Sequence, residues 1–192
     1  MPKTKDLYID IGAASKAAAE DKVSLGDYGV FDSAVVEFGD GLIKAKAIDD
    51  RVGCAALLKL IEDEPPIDTW FCFTVQEEVG LRGAASMAYA LDPGFAMVLE
   101  GTTAADLAEV EGGKAVCRVR GGVVLPFMDG ATIYDAELFE LMRNACDKRG
   151  IRWQTKTRVA GGTDAGRIHK SRAGVRVCAA AAPVRYIHSP SS

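Results

Sequence analysis

The chain has 192 residues, a formal net charge of −4 and 48% hydrophobic residues. That length suits one medium domain, or one domain with part of another, and it supplies enough apolar side chains for a sizeable core. The acidic balance argues against nucleic acid or an anionic membrane surface as a partner. The longest apolar run, 177–184, falls far short of the roughly 20 residues a spanning helix needs. Met1–Asp6 lead into no apolar leader core, so a cytoplasmic protein is expected. The cysteines (Cys54, Cys72, Cys117, Cys146, Cys178) are odd in number, scattered and without a CxxC spacing. They read as reduced, small core hydrophobes rather than a disulfide framework or thiolate metal site.

Residues 5–45 look rich in β-structure. In Asp6–Ile11 the apolar side chains Leu7, Ile9 and Ile11 alternate with Asp6, Tyr8 and Asp10, the period of a strand. Ser15–Asp21 predicts a short helix, with alanines at 17–19 and Ser15 as its cap. Gly26-Asp27 and Gly39-Asp40-Gly41 are turn signals around the strand-like runs 29–31 and 34–38.

From about residue 46 the pattern changes to alternating helix and strand. A helix over 50–60 places Val52, Ala55, Ala56 and Leu60 on one stripe and stops at Glu64-Pro65-Pro66. A strand over 70–75, an alanine-rich helix over 82–90 and a strand over 95–99 follow. Residues 115–119 predict another strand. Residues 135–149 predict the clearest helix, with Leu138, Leu141, Met142 and Ala145 on one face and Gly150 as its stop. A strand over 151–157, a short helix over 165–172 and a last strand over 175–182 complete the series. Such βα alternation predicts a three-layer α/β/α sandwich. The expected division is a partial β-rich domain at 1–45 and an incomplete α/β domain at 46–192, since the chain reads as cut at both ends.

Several strand-like segments run into potential metal ligands. Residues 45–48 precede Asp49-Asp50, residues 70–75 lead to Glu77-Glu78, 98–99 to Glu100 and 186–187 to His188. Adjacent carboxylates at a strand end are costly unless a cation, a basic partner or a raised pKa offsets them. Oxygen and imidazole together form the ligand set of a hydrolytic metal site. Each feature also admits a plainer reading. Glu77-Glu78 suits an acidic pair before a helix, stabilised by its dipole. Asp49-Asp50-Arg51 suits a helix start, Glu100 a solvated strand end, and His188 a loop histidine. The 161–166 stretch (Gly-Gly-Thr-Asp-Ala-Gly) lacks the Gly-Lys-Ser/Thr ending of a phosphate loop and reads as a turn beside a pocket. Arg167, just after it, reads as solvent-facing.

Four motifs occur in order: 47–54 (Ala-Ile-Asp-Asp-Arg-Val-Gly-Cys), 76–84 (Gln-Glu-Glu-Val-Gly-Leu-Arg-Gly-Ala), 161–166 and 185–190 (Arg-Tyr-Ile-His-Ser-Pro). Together they resemble the M42 family of dinuclear metallo-aminopeptidases, over essentially the whole chain. The resemblance implies a zinc-peptidase-like α/β/α fold, release of N-terminal amino acids from peptides, and two divalent metal ions, with zinc or cobalt favoured. By the same resemblance Asp49 bridges the two metals, Glu77 is the general base, and Glu78 and His188 bind one metal while Glu100 binds the other. Asp50 is then a neighbour of the bridging carboxylate, joined to it in related enzymes by a cis peptide, and Thr163 and Asp164 border the substrate. A large homo-oligomer is implied as well.

The family pattern includes one more histidine, in a His-x-Asp motif, but this chain has only His169 and His188. The resemblance assigns His169 no metal. The expectation is therefore one full metal site on Asp49, Glu78 and His188, and a weak second site on Asp49 and Glu100. Two functions follow from this: a cytoplasmic metallo-aminopeptidase, or a truncated, non-catalytic homologue acting as a subunit or binding module. A glycosidase is disfavoured, because its acid pair would not require His188.

Overall fold

A computed structural model of the chain describes residues 3–110 and 114–192. Met1 and Pro2, part of the segment read as lacking a leader core, lie outside the described residues. The chain separates into two compact units, Met1–Asp32 and Ser33–Ser192.

In the first unit a 3-10 turn, Thr4–Asp6, and a short helix, α1 (Lys16–Glu20), are the regular elements. Ser15 caps α1 as its sequence position predicts: its hydroxyl accepts the Ala18 N–H at 3.2 Å. The strand expected at 6–11 does not form. No neighbouring strand among the described residues completes its ladder, and Leu7 and Ile9 stay exposed. Alternation marks a segment able to pair, but a strand exists only when a partner takes its N–H and C=O groups.

The second unit begins with a hairpin of β1 (Val36–Phe38) and β2 (Leu42–Lys44), paired antiparallel across the expected 39–41 turn. Next come α2 (Ile48–Glu62), α3 (Arg82–Leu91), β3 (Phe95–Thr103), β4 (Val123–Val124), α4 (Ala136–Arg149), β5 (Trp153–Gln154), α5 (Ala165–Ile168) and β6 (Arg176–Val184). The last four strands form one mixed sheet in the order β3-β6-β4-β5. β3 and β6 run parallel over their full lengths, from Phe95 opposite Arg176 to Thr103 opposite Val184. β4 is antiparallel to β6 and parallel to β5.

Helix and strand order thus gives the expected α/β fold. Ala84 and Ala88 of α3, Ala165 and Ile168 of α5, and Val177 and Ala179 of β6 form one core with Tyr134 and Val175. Ala96 and Val98 of β3 pack against it. A second, smaller core joins Ala104, Cys117, Val124 and Ala181. α2 packs along β3 and β6. α4 starts at Asp135, whose side chain accepts the Leu138 N–H at 2.9 Å, and ends at Gly150 with φ +65°. Its inward face is only partly the predicted one: Leu138 and Met142 are half-buried, but Leu141 and Ala145 are exposed, while Cys146 is buried and Phe139 half-buried.

Two further expected strands are absent. Residues 70–75 have no ladder partner, and Trp70, Phe73 and Val75 are exposed. This segment instead enters α3, with Gly83 N–H donating to Val75 O at 2.9 Å and Arg82 N–H to Gln76 O at 3.2 Å. Residues 115–117 are buried but make single backbone bonds rather than a ladder: Cys117 N–H to Ala104 O, and Val116 O from Thr157 N–H. The neighbouring strand is β4, six residues beyond Cys117, which the sequence pattern does not single out. The strand expected at 151–157 shortens to β5. All five cysteines are free; Cys117, Cys146 and Cys178 are buried and Cys54 and Cys72 half-buried. Among the described residues no helix is long and apolar enough to cross a membrane.

Candidate metal centre

The candidate ligands and base converge from four places, and only one of them is a strand. Glu100 lies inside β3, which continues to Thr103, rather than at a strand end. Asp49 stands at the entry of α2, Glu77 and Glu78 in the turn before α3, and His188 in a turn beyond β6.

Asp49 and Asp50 keep non-helical backbone angles within α2, and the peptide between them is cis. Asp50 performs the helix-start role: its Oδ1 accepts the Gly53 N–H at 2.9 Å. Two glycines let α2 and β3 approach here. A Cβ on Gly101 would lie 3.0 Å from Asp49 Cβ and Oδ1, and a Cβ on Gly53 would strike the Asp50 carboxylate and Leu99 O. The loop bearing His188 is tied to the segment leading into α2. Ala45 N–H donates to Ser192 O at 3.0 Å and Ser192 N–H to Ala45 O at 2.9 Å. Ser33 Oγ also donates to Pro190 O at 2.8 Å.

As a result His188 Nε2 lies 3.3 Å from Glu78 Oε2 and 3.9 Å from Asp49 Oδ2. One ligand atom from each of the three lies within 4.8 Å of the others. Glu77 is half-buried beside them. These residues and Glu100 line a cavity of about 350 Å³ with Gly80, Leu81, Gly101–Thr103, Lys156, Ala160–Gly162 and Ile187.

Burial and mutual repulsion raise the pKa values of Asp49, Asp50, Glu77 and Glu100. Asp49 is raised by burial, then by Glu78, with His188 opposing. Asp50 is pushed up to about 7 by burial, against the Gly53 amide. Glu77 is pushed up to about 7 by burial and then by Glu78, Asp164, Asp49 and Asp50. Glu100 is pushed up to about 9 by burial, with Lys156 opposing and Asp49, Glu77 and Asp50 adding repulsion. Such a deficit of positive charge is what a bound dication relieves. Two carboxylates and an imidazole, converging at this spacing, also suit zinc, cobalt or manganese chemically. On both counts the residues fit a divalent ion.

Thr163 and Asp164 do not line the cavity. Thr163 is fully buried, with its Oγ1 3.2 Å from Tyr134 OH and accepting the Ala165 N–H at 3.0 Å. Asp164 Oδ2 accepts from Thr74 Oγ1 at 2.5 Å, while its Oδ1 is buried without a partner among the described residues. His169 lies outside the cavity, its Nδ1 2.7 Å from Ala165 O, and Arg167 is exposed as read from the sequence. Lys156 is the charged lining residue that sequence reasoning does not reveal. Its surroundings in sequence, Arg152-Trp153-Gln154-Thr155-Lys156-Thr157, are mostly polar and carry no local sign that this lysine is buried.

The family model of M42 glutamyl aminopeptidase matches residues 1–192. The glutamyl aminopeptidase of Lactococcus lactis subsp. cremoris is 32% identical over 98% of this chain and 54% of its own length. Among solved structures, an aminopeptidase from the archaeon Desulfurococcus kamchatkensis superposes with a TM-score of 0.93 at 36% identity, over 99% of this chain and 55% of its own. The TET1 peptidase of Pyrococcus horikoshii, described as assembling into a tetrahedron or a large octahedral shell, matches with a TM-score of 0.76 at 28% identity, over 95% of this chain and 54% of its own. The chain spans about half the length of the relatives it matches. With the family model matched from end to end, the chain belongs to the M42 glutamyl aminopeptidase family.

Proposed function

We propose that this chain carries the catalytic centre of a cytoplasmic metallo-aminopeptidase that releases N-terminal amino acids from peptides. The observation that carries the reading is the convergence of Asp49, Glu78 and His188 beside a half-buried Glu77. Asp49, Glu78 and His188 would hold one divalent ion, zinc or cobalt, and Asp49 with Glu100 would face a second position. The chemistry supplied by an ion bound there would be polarisation of the scissile carbonyl and a lowered pKa of water. Glu77, with a pKa near neutrality, takes a proton from the attacking water and returns it to the leaving amine. The Asp50 carboxylate, held by the Gly53 amide, fixes the start of α2 and so the direction of Asp49. Gly161 and Gly162 leave room for the peptide backbone along one wall. Free cysteines accord with a reducing compartment. Homo-oligomerisation is part of the proposal, by analogy with the TET1 peptidase shells.

Hydrolysis of a panel of aminoacyl-p-nitroanilides, with added Co²⁺ or Zn²⁺, tests this reading. Metal-dependent turnover that disappears in Glu77→Ala is expected. A folded chain that binds metal yet turns over none of the panel would favour the second reading, a non-catalytic subunit or binding module.

A further inference from the structure

One cation is already built into the acid cluster. Lys156 is only 7% exposed, yet it lines the same cavity as Asp49, Glu77, Glu78 and Glu100. A lysine ammonium is rarely buried without an anion or acceptor to compensate it. Its Nζ donates to Ala160 O at 3.2 Å, and Glu100 lines the same cavity. Glu100 is not part of the three-ligand group that Asp49, Glu78 and His188 form among the described residues. The lining groups therefore differ in chemistry. Asp49, Glu78 and His188 offer two carboxylates and an imidazole. Glu100 shares the cavity with an ammonium, which has no electron pair to give a metal and repels one electrostatically.

We infer that Lys156 supplies the second positive charge of this centre, so that the chain binds one divalent ion tightly, on Asp49, Glu78 and His188, and the ammonium takes the place of a second ion beside Glu100. This rests on reading the cavity as a metal centre. Lys156 and His188 are the basic side chains among the described lining residues, and they serve different purposes: the imidazole as a ligand, the ammonium as a fixed charge.

Titrating Co²⁺ into the 192-residue chain, followed by cobalt visible absorption and by metal content after desalting, tests the inference. The proteins compared are wild type, K156M, K156Q and H188A. One tight equivalent is expected in wild type. In K156M and K156Q the second equivalent should bind at least tenfold more tightly than in wild type, while H188A weakens the first at least tenfold. Two equivalents of similar affinity in wild type would overturn the inference and leave the metal centre standing. So would an unchanged second equivalent in whichever lysine variant folds, as judged by circular dichroism. Unchanged metal binding with an altered preference for acidic N-terminal residues would overturn it in favour of a substrate-binding lysine. No tight equivalent in wild type, with H188A indistinguishable from it, would instead refute the metal centre itself.

Discussion

Gly53→Ala tests whether the close approach of α2 to β3 sets the position of Asp49. Gly53 is buried in α2, and a Cβ there would meet both Asp50 carboxylate oxygens and Leu99 O. The carboxylate can swing away, but only by giving up its bond to the Gly53 N–H, a cap worth about 1 kcal/mol. Leu99 O belongs to the backbone of β3 and yields only if α2 shifts; overpacking of this kind costs about 1–3 kcal/mol. Alanine recovers about 1 kcal/mol of helix propensity over glycine. With the upper half of the overpacking range, the net loss is about 2–3 kcal/mol. For a chain of this size that corresponds to a fall in Tm of roughly 4–12 °C. Thermal unfolding by circular dichroism reads it directly, and Co²⁺ titration of the folded variant should show weaker binding because Asp49 moves with the helix. Gly94→Ala is the control: no atom lies within 4 Å of a Cβ there. Equal Tm and equal metal affinity for Gly53→Ala and wild type would refute the reasoning.

Other substitutions probe the scaffold. Tyr134→Phe removes the hydroxyl that donates to the buried Asp129 Oδ2 at 2.6 Å and sits 3.2 Å from Thr163 Oγ1, so urea unfolding should show a loss of about 1–3 kcal/mol. Arg185→Gln removes two hydrogen bonds to Asp106, at 2.7 and 3.1 Å, and, with the arginine half-exposed, should cost about 1 kcal/mol at pH 7 by the same measure. Arg185 holds the Asp106 carboxyl below its usual value of 3.8. The pair's contribution is therefore complete above that value and is lost as pH falls through the lower, folded-state pKa. The gap between Arg185→Gln and wild type should accordingly narrow below about pH 4; a gap that stays constant down to pH 2 would contradict this.

The helices were the most legible part of the chain. α2, α3, α4 and α5 announce themselves through alanine content, apolar stripes, caps and stops, all local features. β3 and β6 are legible as continuous apolar runs, and each helps bury the other. Residues 6–11 and 70–75 carry equally good strand patterns and form none, because the pattern is local and the ladder is not. The rotation of α4, which buries Cys146 instead of Leu141, likewise depends on which neighbour it meets. In the site, the family resemblance that the motifs carry implied Asp49, Glu78 and His188 as a group, and the structure brings them together. Periodicity alone could not, since a turn beyond the last strand and a helix entry near the start of the unit are joined by contacts distant in sequence, Ala45 with Ser192 and Ser33 with Pro190. Thr163 and Asp164 face Tyr134 and Thr74 rather than the cavity, because their side chains complete the buried hydrogen bonding around α5. Lys156 is illegible for the opposite reason: nothing local distinguishes a buried lysine from a solvated one.

The central claim is that Asp49, Glu78 and His188 bind a divalent ion together. Anomalous diffraction from crystals of the chain grown or soaked with Zn²⁺, collected on both sides of the zinc edge, tests it most directly. A zinc peak about 2.0–2.2 Å from an oxygen of Asp49, an oxygen of Glu78 and a nitrogen of His188 is the predicted result. Full-occupancy zinc elsewhere in the cavity, or no anomalous peak at these residues in zinc-saturated crystals, would contradict it.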